Sequence, residues 1–179
     1  MIWIIEKIEQ FGIPAAVFLA AMTIFLSFAI NEVSGKSGPQ VAQRFLERGT
    51  KYDTEYLKTW VSSNPGPARH YAWPVLFPLD FFFMFALGGF LAVGSAACAL
   101  EVDILTRFAG LFVIVPALYV AADLFEDVLL ACLLLNASSI NENSVRIAQA
   151  TTSAKIKLAS LSIVQTIVLS LWAFFQAQR

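Results

Sequence analysis

Four long apolar blocks separated by polar stretches set the pattern of this chain. Phe11 to Asn31 is uncharged throughout, and so is Phe81 to Leu100, which Trp73, Pro74 and Pro78 precede. Phe108 to Leu135 is broken only by Asp123, Glu126 and Asp127, and Leu158 to Gln178 carries no charge. A bilayer core about 30 Å thick takes roughly 20 apolar residues at 1.5 Å rise each. In hydrocarbon every backbone amide must bond within its own segment, so helices are the expected spanning form. The two-residue alternation of barrel strands is absent. The pattern therefore predicts an all-α integral membrane protein: a single four-transmembrane-helix bundle over residues 1–179, with spans at about 11–31, 74–100, 105–135 and 156–177. Ser27-Phe28-Ala29 resembles a small-residue cleavage site. The apolar run before it is longer than a usual signal core and its flank holds two Glu beside one Lys, so the first block reads as a helix.

Between the first two blocks, residues 38–63 follow a different rhythm. Val41, Phe45, Tyr52, Tyr56 and Trp60 recur at helical spacings, with Arg44, Glu47, Arg48, Lys51, Glu55 and Lys58 among them. This predicts an amphipathic helical loop, broken at Gly49 and stopped by Asn64-Pro65-Gly66-Pro67, with Asp53 as the cap of its second piece. Such a loop either lies on lipid headgroups, or serves as a docking surface, or packs as a cap over its own bundle.

Composition agrees with insertion. Of the 179 residues 58% are hydrophobic and 14% charged, against about 45–50% and 25% in soluble domains, and mean hydropathy is +0.70. A net charge of −1 gives no reason to expect a nucleic-acid partner; the expected surroundings are the lipid bilayer, and a homo-oligomer or larger membrane complex is compatible with the sequence. Cys98 and Cys132 lie in apolar runs, near opposite ends of neighbouring helices, and read as buried small hydrophobes. Four spans put both termini on one side, with Lys7, Arg107 and Arg179. The other side holds Lys36, Arg44, Arg48, Lys51, Lys58, Arg69, Arg146, Lys155 and Lys157. The excess of basic residues assigns loops 32–73 and 136–157 to the cytoplasm and the termini to the non-cytoplasmic side. Trp73 and Trp172 then fall at opposite interfaces.

The candidate chemistry lies inside the third block. A carboxylate near the bilayer centre costs at least ~2.5 kcal/mol on insertion scales, so intramembrane acids need partners, water or a function. Asp123, Glu126 and Asp127 stand at i, i+3 and i+4, on one helical face. Asp80 enters the second span from the same side, roughly 10 Å deep by helical rise. Together these four form a candidate cation or proton site, with Gln165 and Tyr119 as supporting hydrogen-bonding residues. Oxygen-only ligands suit a hard divalent cation such as Ca²⁺, Mg²⁺ or Mn²⁺, or a proton shared between carboxyls. The single histidine, His70, lies in the loop and reads as an interfacial residue, which argues against a His-rich Zn²⁺ or Fe site. There is no haem, flavin or nucleotide signature, and no catalytic motif.

The competing explanation is structural. Lys155 and Lys157 on the fourth helix, or Arg69 and Arg146 in the loops, can turn back to neutralise the acids. A bend at Pro116 would carry Asp127 into water. Three functions are compatible with these residues. The first is a small transporter or channel-like protein binding a cation or proton. The second is a structural or accessory subunit of a larger complex, and the third a membrane enzyme acting on a lipid-like substrate that enters past Phe81, Phe82, Phe83 and Phe85.

Overall fold

A computed structural model describes residues 2–37 and 53–178, and among these the chain is helical with no strand. In chain order the elements are α1 (Ile2–Gly35), α2 (Thr54–Ser63), α3 (Pro65–His70), a broken helical segment Tyr71–Asp80, α4 (Phe81–Leu100), a 3₁₀ stretch Thr106–Val113, α5 (Ile114–Leu135), a 3₁₀ turn Ala137–Ser139, and α6 (Glu142–Gln176). Four helical stretches are long and apolar enough to cross a membrane: Gln10–Gly35, Pro65–Leu100, Thr106–Leu135 and Glu142–Gln176. Large hydrophobic side chains stand outward on each of them. Phe28 on α1, Phe82 on α4, Phe125 on α5 and Phe175 on α6 are all more than half exposed.

Local sequence explains the element ends. Asp53 caps α2, its Oδ1 accepting from the backbone N–H of Glu55 at 2.7 Å and Tyr56 at 3.2 Å, as its position predicts. α2 stops at Ser63, but Pro65 at once opens α3, where a missing N–H is harmless. Trp73 and Phe77 adopt extended backbone angles, φ −145° and −124°. Each precedes a proline, whose ring disfavours the α region for the residue before it. The second block is thus a broken helix that becomes regular only at Phe81. Pro116 sits in the first turn of α5, directly after the 3₁₀ stretch, and the carbonyl four residues before it, of Phe112, accepts from the Gln165 side chain instead; the acids of the third block lie on uninterrupted α-helix beyond it.

The fourth helix corrects the sequence boundary most. It begins at Glu142, not near 156, because Asn141 caps it, its Oδ1 accepting from Asn143 N at 3.0 Å and Ser144 N at 3.1 Å. Lys155 and Lys157 are therefore helix-interior residues, and the expected loop 136–157 shrinks to its first few residues. The first helix likewise runs past both ends of 11–31.

The chain divides into two compact units. One comprises Met1–Thr23, Met84–Ala121 and Ile156–Arg179, the other Ile24–Phe83 and Ala122–Lys155. In the second unit, Leu57, Trp60 and Val61 of α2 are buried in one core with Tyr71, Val75, Leu76, Leu130 and Leu133. Those three apolar residues of α2 are thus turned into its own unit; the Val41–Tyr52 half of the loop lies outside the described residues. His70 is held by Ser37, with Oγ···Nδ1 at 2.7 Å.

In the first unit, small residues let helices approach closely. A Cβ built on Gly88 would clash with Val120 Cγ2, whereas one on Gly94 would meet Thr166 Cγ2 at 3.6 Å and Phe90 Cε2 at 4.0 Å, both ordinary contacts. Cys98 is half-buried and Cys132 exposed, not buried as expected, and both are free thiols. Because a helical valine is stiff at χ1, Val120 cannot swing aside. Gly88→Ala is therefore expected to destabilise by about 1–3 kcal/mol through overpacking. Gly94→Ala should be neutral or stabilising, since alanine is the better helix former by about 1 kcal/mol. Thermal denaturation of the purified variants checks this; equal melting temperatures would contradict the close approach.

Candidate functional site

α5 is polar inward and apolar outward. Leu118, Phe125, Val128 and Leu135 are exposed, while Asp123, Glu126, Asp127, Leu130, Leu133 and Leu134 are buried. This follows from the 3.6-residue period: 123, 126, 127, 130 and 134 share one face. Asp123 is 2% exposed, and Glu126 and Asp127 are fully buried.

The remaining members come from two other elements of the same unit. Asp80 is the last residue of the broken segment and immediately precedes the regular helix α4. That is where the helix dipole favours a negative charge. Its side chain is buried, and one carboxylate oxygen each from Asp80, Asp123 and Asp127 lies within 4.8 Å of the others. α6 supplies Thr152 and Lys155, one turn apart on the face that also buries Val145 and Ala148.

Lys155 meets the acids directly. Its Nζ is 2.8 Å from Asp123 Oδ1 and also pairs with Glu126 Oε2. Thr152 Oγ1 reaches Glu126 Oε1 and, at 3.0 Å, the carbonyl of Ala148. A hydroxyl has one proton, so it donates to one of these at a time. Between Asp123 and Glu126, one ammonium faces two carboxylates. Fully ionised, that trio carries a surplus negative charge inside the protein, and Asp80 and Asp127 bring two more carboxyls to the same place.

The four acids singled out in the sequence are therefore all buried in the second unit, and three converge closely enough to share one ion. Oxygens on opposite sides of a Ca²⁺ stand about 4.6–5.2 Å apart, twice its 2.3–2.6 Å bond length, and those around the smaller Mg²⁺ closer. Glu126 stands apart from that trio and belongs to Lys155 and Thr152.

Gln165 and Tyr119 belong to the first unit. Gln165 Nε2 donates to Ser95 Oγ at 3.1 Å and to the Phe112 carbonyl at 2.7 Å. Tyr119 is buried there near Gly88. Ser95 Oγ in turn pairs with Thr166 Oγ1 at 2.8 Å.

Thr152 was not singled out in the sequence, and Lys155 entered only as a neutralising partner. The available signal was the spacing of Val145, Ala148, Thr152 and Lys155, which places them on one helical face once the helix is known to start at Glu142.

No protein-family model matches the chain, and no curated protein and no solved structure is significantly similar to it.

Removing one partner of a buried ion pair strands the other, at a cost of about 3–5 kcal/mol. Lys155→Met should therefore destabilise strongly. Adding Glu126→Gln to it should recover part of the loss, with a coupling of about 1–3 kcal/mol for groups in contact. Chemical denaturation of the four species of the double-mutant cycle measures this, and strict additivity would contradict the ion pair.

Proposed function

We propose that this chain is a multi-pass membrane protein that binds a hard cation at Asp80, Asp123 and Asp127, in a small transporter or channel-like role. The observation that carries the proposal is the convergence of three buried carboxylates from two separate elements, within 4.8 Å of one another. Acids brought together for packing alone would repel one another, and burial would magnify the repulsion. A cation removes it, and when none is bound a proton shared between carboxyls serves instead.

The backbone around Asp80 supports the same function. Non-helical backbone at membrane depth is tolerated where it is buried in protein or lines a cavity. Helices broken at mid-membrane are a recurrent way of presenting polar groups to an ion. Here the break at Trp73 and Phe77 ends at Asp80.

Membrane insertion is supported by four helices of sufficient length and apolarity and by a surface rich in large hydrophobics over an interior holding charges. Large hydrophobics exposed on each of the four helices mark surface that lipid or protein covers. Lys155, engaged with Asp123 and Glu126, leaves the loop count of basic residues, and so do Arg146 and Lys157, which also lie inside α6. Six then remain against three (nine minus three), and the excess still directs the loops to the cytoplasm. The cluster and both loops belong to one unit, so the ion is exchanged with the cytoplasm on this account.

In cells, the chain should stay in the membrane fraction after alkaline carbonate extraction. Reconstituted in liposomes, it should catalyse divalent-cation flux that Asp123→Asn, Asp80→Asn or Asp127→Asn each reduce at least about tenfold, the effect of losing one charged ligand. Flux unchanged in all three folded variants would contradict the proposal.

A further inference from the structure

The acids of the second unit fall into two overlapping sets. Asp80, Asp123 and Asp127 form the group that can share one ion. Asp123 and Glu126 form the group that holds Lys155. Asp123 belongs to both, whereas Glu126 lies outside the ion-sharing trio.

A buried lysine in this position is itself a cation, carried by the chain and seated against one of the would-be ligands. An ion bonded to the oxygen that the lysine holds, Asp123 Oδ1, would stand no more than about 5 Å from the ammonium, the sum of the 2.8 Å contact and a metal–oxygen bond of about 2.4 Å. Two like charges that close inside a protein repel strongly. Glu126 gives the lysine somewhere else to rest: it is fully buried, lies outside the ion-sharing trio, and is steadied by Thr152. A flexible four-carbon stem lets the ammonium shift from one carboxylate to the other.

We propose that Lys155 is a tethered competitor for the bound cation, resting on Asp123 and Glu126 when no ion is present and withdrawing onto Glu126 when an ion takes Asp123. The inference rests on the cation-binding function proposed above and specifies how occupancy of that site is regulated. Asp123 is the switch residue, because it is the one acid common to both sets. The competition keeps affinity moderate, which a site that must release its ion requires.

The test is Mn²⁺ binding to the purified full-length chain in lipid nanodiscs, read by loss of the free-ion electron paramagnetic resonance signal. The variant Lys155→Met/Glu126→Gln removes one charge of each sign, so the charge of the unit is unchanged while Asp123 is released. Mn²⁺ affinity is expected to rise at least about tenfold, within the usual range of coupling between two sites. Lys155→Arg keeps the charge but grips two carboxylates more firmly, so it should bind Mn²⁺ more weakly; it decides the matter if the double variant does not fold. Wild-type binding with unchanged affinity in a folded variant would overturn the competition and leave the cation site standing. Absence of Mn²⁺ binding in the wild type and in every variant would overturn both.

Discussion

An ionised carboxylate taken out of water loses several kcal/mol of hydration unless a cation, a proton or well-aimed donors replace it. Asp80, Asp123, Glu126 and Asp127 are all buried in one compact unit, and this constraint organises what surrounds them. It accounts for the presence of Lys155 on the buried face of α6 and for Thr152 one turn before it. It also agrees with the place of Asp80, at the start of a regular helix where the dipole is favourable. The ammonium and the hydroxyl serve Asp123 and Glu126. The proposed ion site is the place where Asp123 meets Asp80 and Asp127.

The two units handle polarity differently. In the first, hydroxyls and an amide satisfy one another and the backbone: Ser95 with Thr166, and Gln165 with Ser95 and the Phe112 carbonyl. These are neutral groups paired at ordinary distances, and they need no ligand. In the second, the buried groups among the described residues include four carboxyls and the Lys155 ammonium. The helices are otherwise alike, with outward Phe and Leu in both, so the chemistry is concentrated by sequence in one part of the chain.

Much of this was legible beforehand. Long uncharged blocks gave four helices because length and apolarity dominate that signal, and the i, i+3, i+4 spacing of the α5 acids gave a shared face because helical geometry leaves no alternative. Asp53 as a cap followed from local chemistry. Other features were hidden for physical reasons. The start of α6 was obscured by polar and β-branched residues, Thr151, Thr152 and Ser153 among them, which lower helix propensity although packing overrides it. That error moved Lys155 from helix interior to helix end, and so disguised its role. Pro116 suggested a bend, but α5 runs on beyond it without a break to Leu135. The breaks before Pro74 and Pro78 were readable in principle, since each proline restricts its predecessor, yet apolarity alone made that stretch look like continuous helix. Gln165 and Tyr119 shared polarity with the acids in sequence but belong to the other unit.

Whether the overlap at Asp123 holds an ion is the point on which the functional account turns. Anomalous X-ray diffraction from crystals grown in Mn²⁺ addresses it without mutating the chain. The account predicts one strong anomalous peak within bonding distance of Asp80, Asp123 and Asp127, with the Lys155 ammonium moved off Asp123 towards Glu126. Fully ordered carboxylates with no peak between them, and Lys155 still against Asp123, would contradict it.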